Sequence, residues 1–487
     1  MFVAMPRRHL LILLVAFAVS VAVRWPLLNR PLSGHHELCT ALTLVALHNW
    51  QHDGFLHHHG APAITFSGTA NLIPPGYTDA PGLRDGVLYY LSHPPLAFDL
   101  PHALLSLTGT APNAMGLQLF NLFFHLLTAC ALYLIVRELL PQGNAALFAA
   151  LLYLFMPAPL WFHGNVYMSD MFVQNAWVWH VLVVLRVLRR GSSISWRAAA
   201  LCALTLFVTT IISWPGVWAG ITLGAAAIWQ WRRQNDGTRL RLVGAAMLSV
   251  GVALAYTAWR WLQVVDAETL LEYFSGRFAE RGTTGTLGAM DNLAAIALNY
   301  RINWLPLALP LVIFGWRLRA VRSSTNDLPL FALLTALPSL LEHAFLLQYS
   351  RHDFTTLKAG LLLCGLAGLG LAALKARWSW ALMVAVCISG ALYFKRNNDL
   401  GSGATVPAYQ DFQVGTMVAR MAGPQDMAFT LGFAAEPQMA WPAKRTFFHV
   451  RDQEHARAML REKGLKRGLI VKKEGLVRRL EWVEEAP

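Results

Sequence analysis

Residues 33–37 read Ser-Gly-His-His-Glu and residues 89–95 read Tyr-Tyr-Leu-Ser-His-Pro-Pro, and the two motifs bound the longest polar interruption in the first 258 residues. Seven of the 17 histidines lie between His35 and His59, together with Glu37 and Asp53. Imidazoles and carboxylates are the side chains that most often carry acid–base chemistry in proteins. A catalytic site, if the chain has one, is therefore expected to begin here.

The rest of the chain is apolar. Of its 487 residues 55% are hydrophobic and only 14% are charged, whereas soluble domains carry about 25% charged residues. Apolar runs that approach the ~20 residues of a bilayer span recur along the sequence. The composition predicts an integral membrane protein. The five scattered cysteines offer neither a disulfide framework nor a C-x-x-C metal site.

About eleven spans are predicted. The first follows Arg7 and Arg8; its apolar run resembles a secretory signal, but residues 25–28 continue the apolar character and favour a spanning helix. The others lie near 115–136, 144–160, 171–185, 198–213, 216–231, 242–258, 303–316, 328–347, 356–374 and 378–394. Arg and Lys concentrate in alternate loops, which predicts a cytoplasmic N-terminus and explains the net charge of +13 without nucleic acid.

This topology predicts two long external loops, 29–113 and 259–302, in a transmembrane domain of residues 1–394. In the first loop (29–113), apolar residues at helical spacing predict a helix that starts near Gly34. From residue 395 the composition becomes that of a soluble domain, with helices predicted at 417–421 and 454–465 and strands predicted at 427–431, 445–450 and 468–471. The predicted fold class is an all-α polytopic membrane protein with a small C-terminal α/β domain, 395–487, outside the cytoplasm.

Two acidic groups are candidate catalytic residues. Glu37 follows the first span beside His36, where a general base would reach both a lipid-borne phosphate and a water-soluble group. The alternative is a first-turn carboxylate that only caps its helix. Asp170 enters an apolar helix, which is costly unless it faces a polar cavity or pairs with a cation; both readings remain open.

A second polar group precedes a late span. Arg351 and Lys358 lie on the predicted outer side, against the charge bias, and so require an anionic partner such as a phosphate, a lipid headgroup or Asp353. His93, before Pro94 and Pro95, marks either a site or a rigid turn.

The histidine-rich stretch also contains a candidate metal site. His48 and His52 are four residues apart on one helical face, beside Asp53, a spacing that can hold a zinc-like ion. A solvated histidine-rich loop is the alternative, because the spacing fixes no third ligand.

Together these motifs resemble the GT-C membrane glycosyltransferases, in the branch similar to bacterial protein O-mannosyltransferases and the lipid A aminoarabinose transferase. The resemblance rests on His36-Glu37 after the first span, His93-Pro94-Pro95 at the end of the first loop, Asp170, and His352-Asp353-Phe354. The chain departs from the family at His36, which stands where an acidic pair has its catalytic Asp. The base role would then fall to Glu37 or to His36.

The resemblance implies a glycosyltransferase of the bacterial inner or plasma membrane, with its site and C-terminal domain outside the cytoplasm. A sugar would move with inversion from a polyprenyl phosphate to the hydroxyl of a lipid, glycan or protein. Glu37, His36 and Asp170 would be catalytic, and His35, His93, Arg351, His352, Asp353 and Lys358 would bind substrate. The alternatives are a transporter or flippase of lipid-linked saccharides and a structural partner. The sugar, the acceptor, any divalent metal and the oligomeric state are not determined by the sequence.

Overall fold

A computed structural model describes residues 5–189, 193–282, 288–397, 407–475 and 477–485. The helices of the first 397 residues are α1 (Arg7–Arg24), α2 (Glu37–Asp53), α3 (Leu96–Leu107), α4 (Ala114–Leu139), α5 (Ala145–Phe155), α6 (Pro157–Phe162), α7 (Ser169–Arg189), α8 (Trp196–Ile212), α9 (Pro215–Gln234), α10 (Leu240–Trp261), α11 (Ala267–Arg281), α12 (Ala289–Trp304), α13 (Ala308–Ser324), α14 (Leu328–Phe345), α15 (Gly360–Ala372) and α16 (Ala376–Asn397). Short 3-10 turns, Tyr349–Arg351 and Asp353–Ala359, connect α14 to α15.

The C-terminal region is an α/β unit. It contains α17 (Pro407–Met421), α18 (Pro437–Ala443) and α19 (Gln453–Lys463). Strands β1 (Leu83–Arg84) and β2 (Val87–Leu88) form a hairpin in the first loop, and β3 (Met427–Leu431), β4 (Phe447–Val450), β5 (Arg467–Glu474) and β6 (Val477–Glu484) form a sheet. The sheet order is β4-β3-β5-β6, with β3 parallel to β4 and β5 and with β6 antiparallel to β5.

The predicted fold class is confirmed. Within the described residues, eight helical segments are long and apolar enough to cross a membrane. Three further predicted spans correspond to α5, α8 and α9; of these α5 and α8 are apolar but shorter than 18 residues. The predicted span 303–316 is part of a longer helical segment, Ala289–Ser324. Pro306 lies in the first turn of the 3-10 segment Leu305–Leu307, where its missing N–H costs little, so the helical path continues.

Small residues allow the central helices to approach closely. Helix α15 packs against α5 at Gly368, where a Cβ atom would lie 2.7 Å from the Ala149 backbone nitrogen and 2.8 Å from the Ala145 carbonyl oxygen. Close backbone approach through small residues is a main source of helix association in membranes, where lipid removes the hydrophobic driving force. The α5–α15 contact therefore depends on the absence of a side chain at residue 368.

The first loop ties the C-terminal unit to the bundle. The backbone nitrogen of Phe66 donates to Thr446 Oγ1 at 3.0 Å, and Trp441 of α18 packs on the apolar face of α2. On the opposite flank Arg260, at the end of α10, forms an ion pair with Asp99 of α3 at 3.0 Å. The first loop is thus a folded layer between the bundle and the C-terminal unit.

We expect Gly368→Ala to destabilise the protein, because the added methyl group clashes with the backbone of α5. Overpacking of this kind costs about 1–3 kcal/mol. Gly224 of α9 has no atom within 4 Å of its would-be Cβ, so Gly224→Ala is the matched control and should be neutral or stabilising by up to ~1 kcal/mol. Thermal unfolding of the detergent-solubilised variants measures both; equal melting temperatures would contradict the packing argument.

Candidate active site

The carboxylate of Glu37 is fully engaged at the start of α2. It is 1% exposed, receives a hydrogen bond from Arg30 at 2.7 Å, and accepts the backbone N–H groups of Ser33 and Gly34, both at 2.6 Å. Burial raises the pKa of Glu37, and Arg30 and the two N–H groups oppose this rise. This geometry is that of the helix-capping alternative. To act as a general base, the carboxylate of Glu37 would have to give up its hydrogen bonds with Arg30, Ser33 and Gly34.

The neighbouring histidines face a different group. His36 has a left-handed backbone, with φ of 60°, and its Nε2 atom lies 2.9 Å from Asp353 Oδ1. The Nε2 atom of His35 lies 3.0 Å from the same oxygen. Burial lowers the pKa of His35, but the hydrogen bond and charge of Asp353 outweigh it, so the net shift is upward. These contacts join the first loop to the linker before α15, although His36 and Asp353 are 317 residues apart in the sequence.

A second cluster is buried deeper in the bundle. Lys358 Nζ lies 2.8 Å from Asp170 Oδ1 and also contacts the carboxylate of Glu342. The hydroxyl of Tyr349 donates to Asp170 Oδ2 at 2.7 Å. Lys358, Asp170 and Glu342 are each no more than 2% exposed. The cation that was predicted to bind phosphate is therefore already paired with two carboxylates.

Sequence reasoning assigned no role to Glu342 or Tyr349. A signal for Glu342 was present, because a carboxylate within an apolar helix is expensive and normally has a partner. Its partner, Lys358, lies 16 residues further along the chain, beyond the reach of any helical spacing rule. Only the folded chain brings the two together.

The remaining candidates divide between the interior and the surface. His93 is 2% exposed, and neither ring nitrogen has a hydrogen-bond partner among the described residues. Burial lowers the pKa of His93 to about 3, so the ring is neutral at physiological pH. His352 is exposed and stacks on Phe354, with 5.2 Å between ring centroids. Arg351 is exposed too, and its carbonyl oxygen accepts from Asn299 at 2.6 Å.

An apolar groove of about 480 Å³ is lined by Ser92, the residue before His93. It is also lined by Trp214 before α9, by residues of α9 and α11 including Trp218 and Phe278, by Leu346 after α14, and by two cations of α11, Arg277 and Arg281. Arg277 is paired with Glu280 at 2.8 Å. The guanidinium carbon of Arg281 instead lies 5.0 Å from the ring centroid of Tyr349. Arg281 was missed from sequence, although it is a cation in the predicted external loop 259–302.

The candidate metal residues of the histidine-rich stretch do not converge. His52 Nδ1 and His58 Nε2 bind opposite oxygens of Asp53, at 2.8 and 3.2 Å. His48 packs against Trp441, with 6.1 Å between ring centroids, and burial lowers its pKa to about 4. Among the described residues, His35, His36 and Asp353 are the group of three or more potential ligands whose ligand atoms all lie within 4.8 Å of one another.

Comparison with known proteins identifies the fold of the chain through solved structures. No protein-family model matches the chain, and no curated protein does. The chain is similar to the solved structure of ArnT from Cupriavidus metallidurans bound to undecaprenyl phosphate, with a TM-score of 0.59 and 14% identity over 95% of this chain and 92% of that one. The apo state of the same protein gives a TM-score of 0.59 and 13% identity over 98% and 97% of the two chains.

A second kind of protein has the same architecture. The archaeal oligosaccharyltransferase AglB from Archaeoglobus fulgidus, in complex with an inhibitory peptide and a dolichol-phosphate, matches with a TM-score of 0.55 and 11% identity over 96% of this chain and 69% of that one. The chain has the GT-C fold. The resemblance stated from the sequence motifs is confirmed at the level of the fold, and the GT-C fold makes the chain an integral membrane protein.

The Lys358 cluster gives a stability prediction. Lys358→Met leaves Asp170 and Glu342 as two buried carboxylates without their cation, and breaking a buried ion pair in this way costs about 3–5 kcal/mol. We expect Lys358→Met to lower the melting temperature strongly. Adding Glu342→Gln should restore part of the loss, because one buried charge is removed. Failure of the second substitution to recover any stability would argue against the three-group pairing.

Proposed function

We propose that the chain is a glycosyltransferase that uses a polyprenyl-phosphate-linked sugar as its donor. The observation that carries this proposal is the apolar groove, whose lining includes an arginine, Arg281, without a carboxylate partner among the described residues and also Ser92, the residue before the buried, unpartnered imidazole of His93. A polyprenyl phosphate has the matching structure, since a long apolar chain ends in one anionic group. Undecaprenyl phosphate and dolichol-phosphate bound to the two GT-C neighbours are consistent with such a donor.

The charges around the groove favour a phosphate at one position. Lys358 is neutralised by Asp170 and Glu342, and Arg277 by Glu280. Among the described residues, the side chain of Arg281 has the face of Tyr349 as its partner and no carboxylate. A guanidinium forms strong, charge-assisted hydrogen bonds to phosphate oxygens, and its charge would also stabilise the phosphate as it leaves. Arg281 is therefore the proposed phosphate-binding cation, with His93 as a neutral hydrogen-bond donor beside it.

The acceptor hydroxyl would be activated at His35, His36 and Asp353. This cluster is open to solvent, since His35 is among the exposed residues, whereas the carboxylate of Glu37 is buried and paired. Of the two base candidates from the sequence, we therefore favour the His36 side. One displacement at the anomeric carbon would form the new glycosidic bond, release the lipid phosphate and invert the configuration.

The side of the membrane is part of the same proposal. The distribution of Arg and Lys favours a cytoplasmic N-terminus, which would place the site and the C-terminal unit outside the cytoplasm. A lipid, a glycan or a protein would supply the hydroxyl. The groove accounts for the lipid part of the donor and does not define which sugar is transferred.

Arg281→Gln tests the proposed phosphate site. We expect the variant to lose at least tenfold in affinity for a radiolabelled polyprenyl phosphate, and in sugar transfer from it, because the glutamine amide is neutral and shorter and so removes the guanidinium charge. Arg451→Gln removes an exposed cation of the C-terminal unit and is the control. Unchanged binding by Arg281→Gln would contradict the proposal, and translocation of the lipid without transfer would favour the flippase alternative.

Two isosteric variants test the assignment of the hydroxyl-activating group. We expect Asp353→Asn to fold and to lose transfer at least a hundredfold, because the neutral amide removes the negative charge that both imidazoles contact. Glu37→Gln should act mainly on stability, by disturbing the contacts with Arg30, Ser33 and Gly34. Melting temperatures and turnover of the two purified variants separate the effects. A stable Glu37→Gln variant without turnover would return the base role to Glu37.

A further inference from the structure

We propose that His35, His36 and Asp353 bind one divalent transition-metal ion of the zinc type. The inference starts from the convergence of three different ligand side chains on one point. Both Nε2 atoms approach the same carboxylate oxygen, at 3.0 and 2.9 Å, and all three ligand atoms lie within 4.8 Å of one another. A single carboxylate oxygen approached by two imidazole nitrogens is the arrangement expected when the ligands surround a common centre.

The distances suit the radius of such an ion. Zinc binds imidazole nitrogen at about 2.0–2.1 Å and carboxylate oxygen at about 2.0–2.2 Å, in tetrahedral geometry. Two ligand atoms at those distances are about 3.3 Å apart at the tetrahedral angle. The observed nitrogen–oxygen separations are therefore within about 0.4 Å of the required ones. Small rotations of the imidazole rings are sufficient to admit the ion.

The backbone of the cluster is held in place by other side chains. Trp161 Nε1 donates to the carbonyl oxygen of His35 at 3.1 Å, and Asn303 Nδ2 donates to that of Asp353 at 3.1 Å. The left-handed backbone of His36 is a conformation that non-glycine residues adopt at a cost, and that persists where the surrounding structure determines it. The ring of Phe354 packs edge-on against His36, at 5.0 Å between centroids. Preorganised ligands of this kind are what a metal site requires.

The ligand types select the metal. Imidazole suits zinc, copper, iron and nickel, whereas magnesium and calcium prefer oxygen ligands alone. Three protein ligands leave at least one coordination position open, as in catalytic rather than structural zinc sites. The side chain of His35 is 60% exposed, so the open position is accessible from solvent.

A second cluster of two histidines and one aspartate in the same chain can be compared with the proposed metal site. Asp53 also contacts two imidazoles, those of His52 and His58, but through opposite oxygens. In that arrangement the nitrogens diverge and a single ion cannot bind both. The residue types are the same in the two clusters, so only the geometry distinguishes them.

The role of the ion in the reaction rests on the proposed function. If that function holds, the ion would activate the acceptor hydroxyl. With its Nε2 atom bound to the ion, His36 would activate the hydroxyl through the metal and not as the base itself. A hydroxyl bound at the open position would have a lowered pKa and would lose its proton to water. The resulting alkoxide would form a bond to the anomeric carbon as the carbon–oxygen bond to the lipid phosphate breaks. The phosphate would leave with the bonding electron pair.

Metal binding is tested on the purified full chain, stripped with a chelator and titrated with Co²⁺ and Zn²⁺. We expect one Co²⁺ per chain, with visible absorption typical of mixed nitrogen and oxygen ligands, and a higher melting temperature with Zn²⁺. Asp353→Asn and His36→Asn should weaken binding at least tenfold; asparagine is chosen at residue 36 because it tolerates a left-handed backbone. His52→Asn and Asp53→Asn are the matched controls and should bind as the unmodified chain does.

The outcomes separate this inference from the proposed function. No stoichiometric binding by the unmodified chain, or equal loss in the Asp53 and Asp353 variants, would overturn the metal site. Sugar transfer that needs Asp353 but proceeds without bound metal would overturn the role of the ion in the reaction, and would leave the glycosyltransferase standing. Binding at this site without any sugar transfer would leave the metal site and remove the function. If Asp353→Asn does not fold, His35→Gln at the exposed ligand gives the same comparison.

Discussion

The arrangement of the helical elements around the candidate site depends on the buried ammonium group of Lys358. Lys358 lies between Asp170 of α7 and Glu342 of α14, so a single ammonium group connects three segments that are far apart in the sequence. Each carboxylate would be costly to bury alone, and the lysine would be too. Because each group compensates the others, the three helical elements are held in one relative arrangement, and the linker before α15 is fixed with them.

That linker connects the two halves of the proposed chemistry. At one end, Tyr349 contacts both Asp170 and Arg281, at the head of the apolar groove. Four residues later, Asp353 contacts the imidazoles of the first loop. A short segment therefore relates the position of a donor phosphate to the position of an acceptor hydroxyl. The buried lysine in the same segment gives it the rigidity that such positioning needs.

Much of the fold could be predicted from the sequence, and the reasons are physical. Apolar runs indicate spanning helices because the bilayer sets their length, and the helix predicted near Gly34 begins at Glu37. In the C-terminal unit, β3 was predicted with its observed bounds, Met427–Leu431. Strand β6 and helix α18 were missed, since Val477–Glu484 is largely charged and Pro437–Ala443 contains an internal proline.

The site was less accessible to sequence reasoning. His35, His36 and Asp353 were each named as candidates, but sequence spacing cannot show that they meet across more than 300 residues. The roles of Lys358 and Arg281 depend on which cation pairs with a carboxylate in the folded chain. The sequence shows the cations but not these pairs. The boundary between the predicted domains, near residue 395, lies beside residues 398–406, outside the described part of the chain.

The presence of histidine at position 36, where a carboxylate would also be possible, has a consequence for the charge of the site. A carboxylate at that position would add a negative charge next to Asp353, and the two would repel unless a cation lay between them. Imidazoles remove that repulsion, so the cluster is stable without a cation, and they still offer nitrogen ligands to one. Histidine at position 36 thus gives a polar junction between the first loop and the linker, and its nitrogen ligand suits ions that bind imidazole better than ions that prefer oxygen alone.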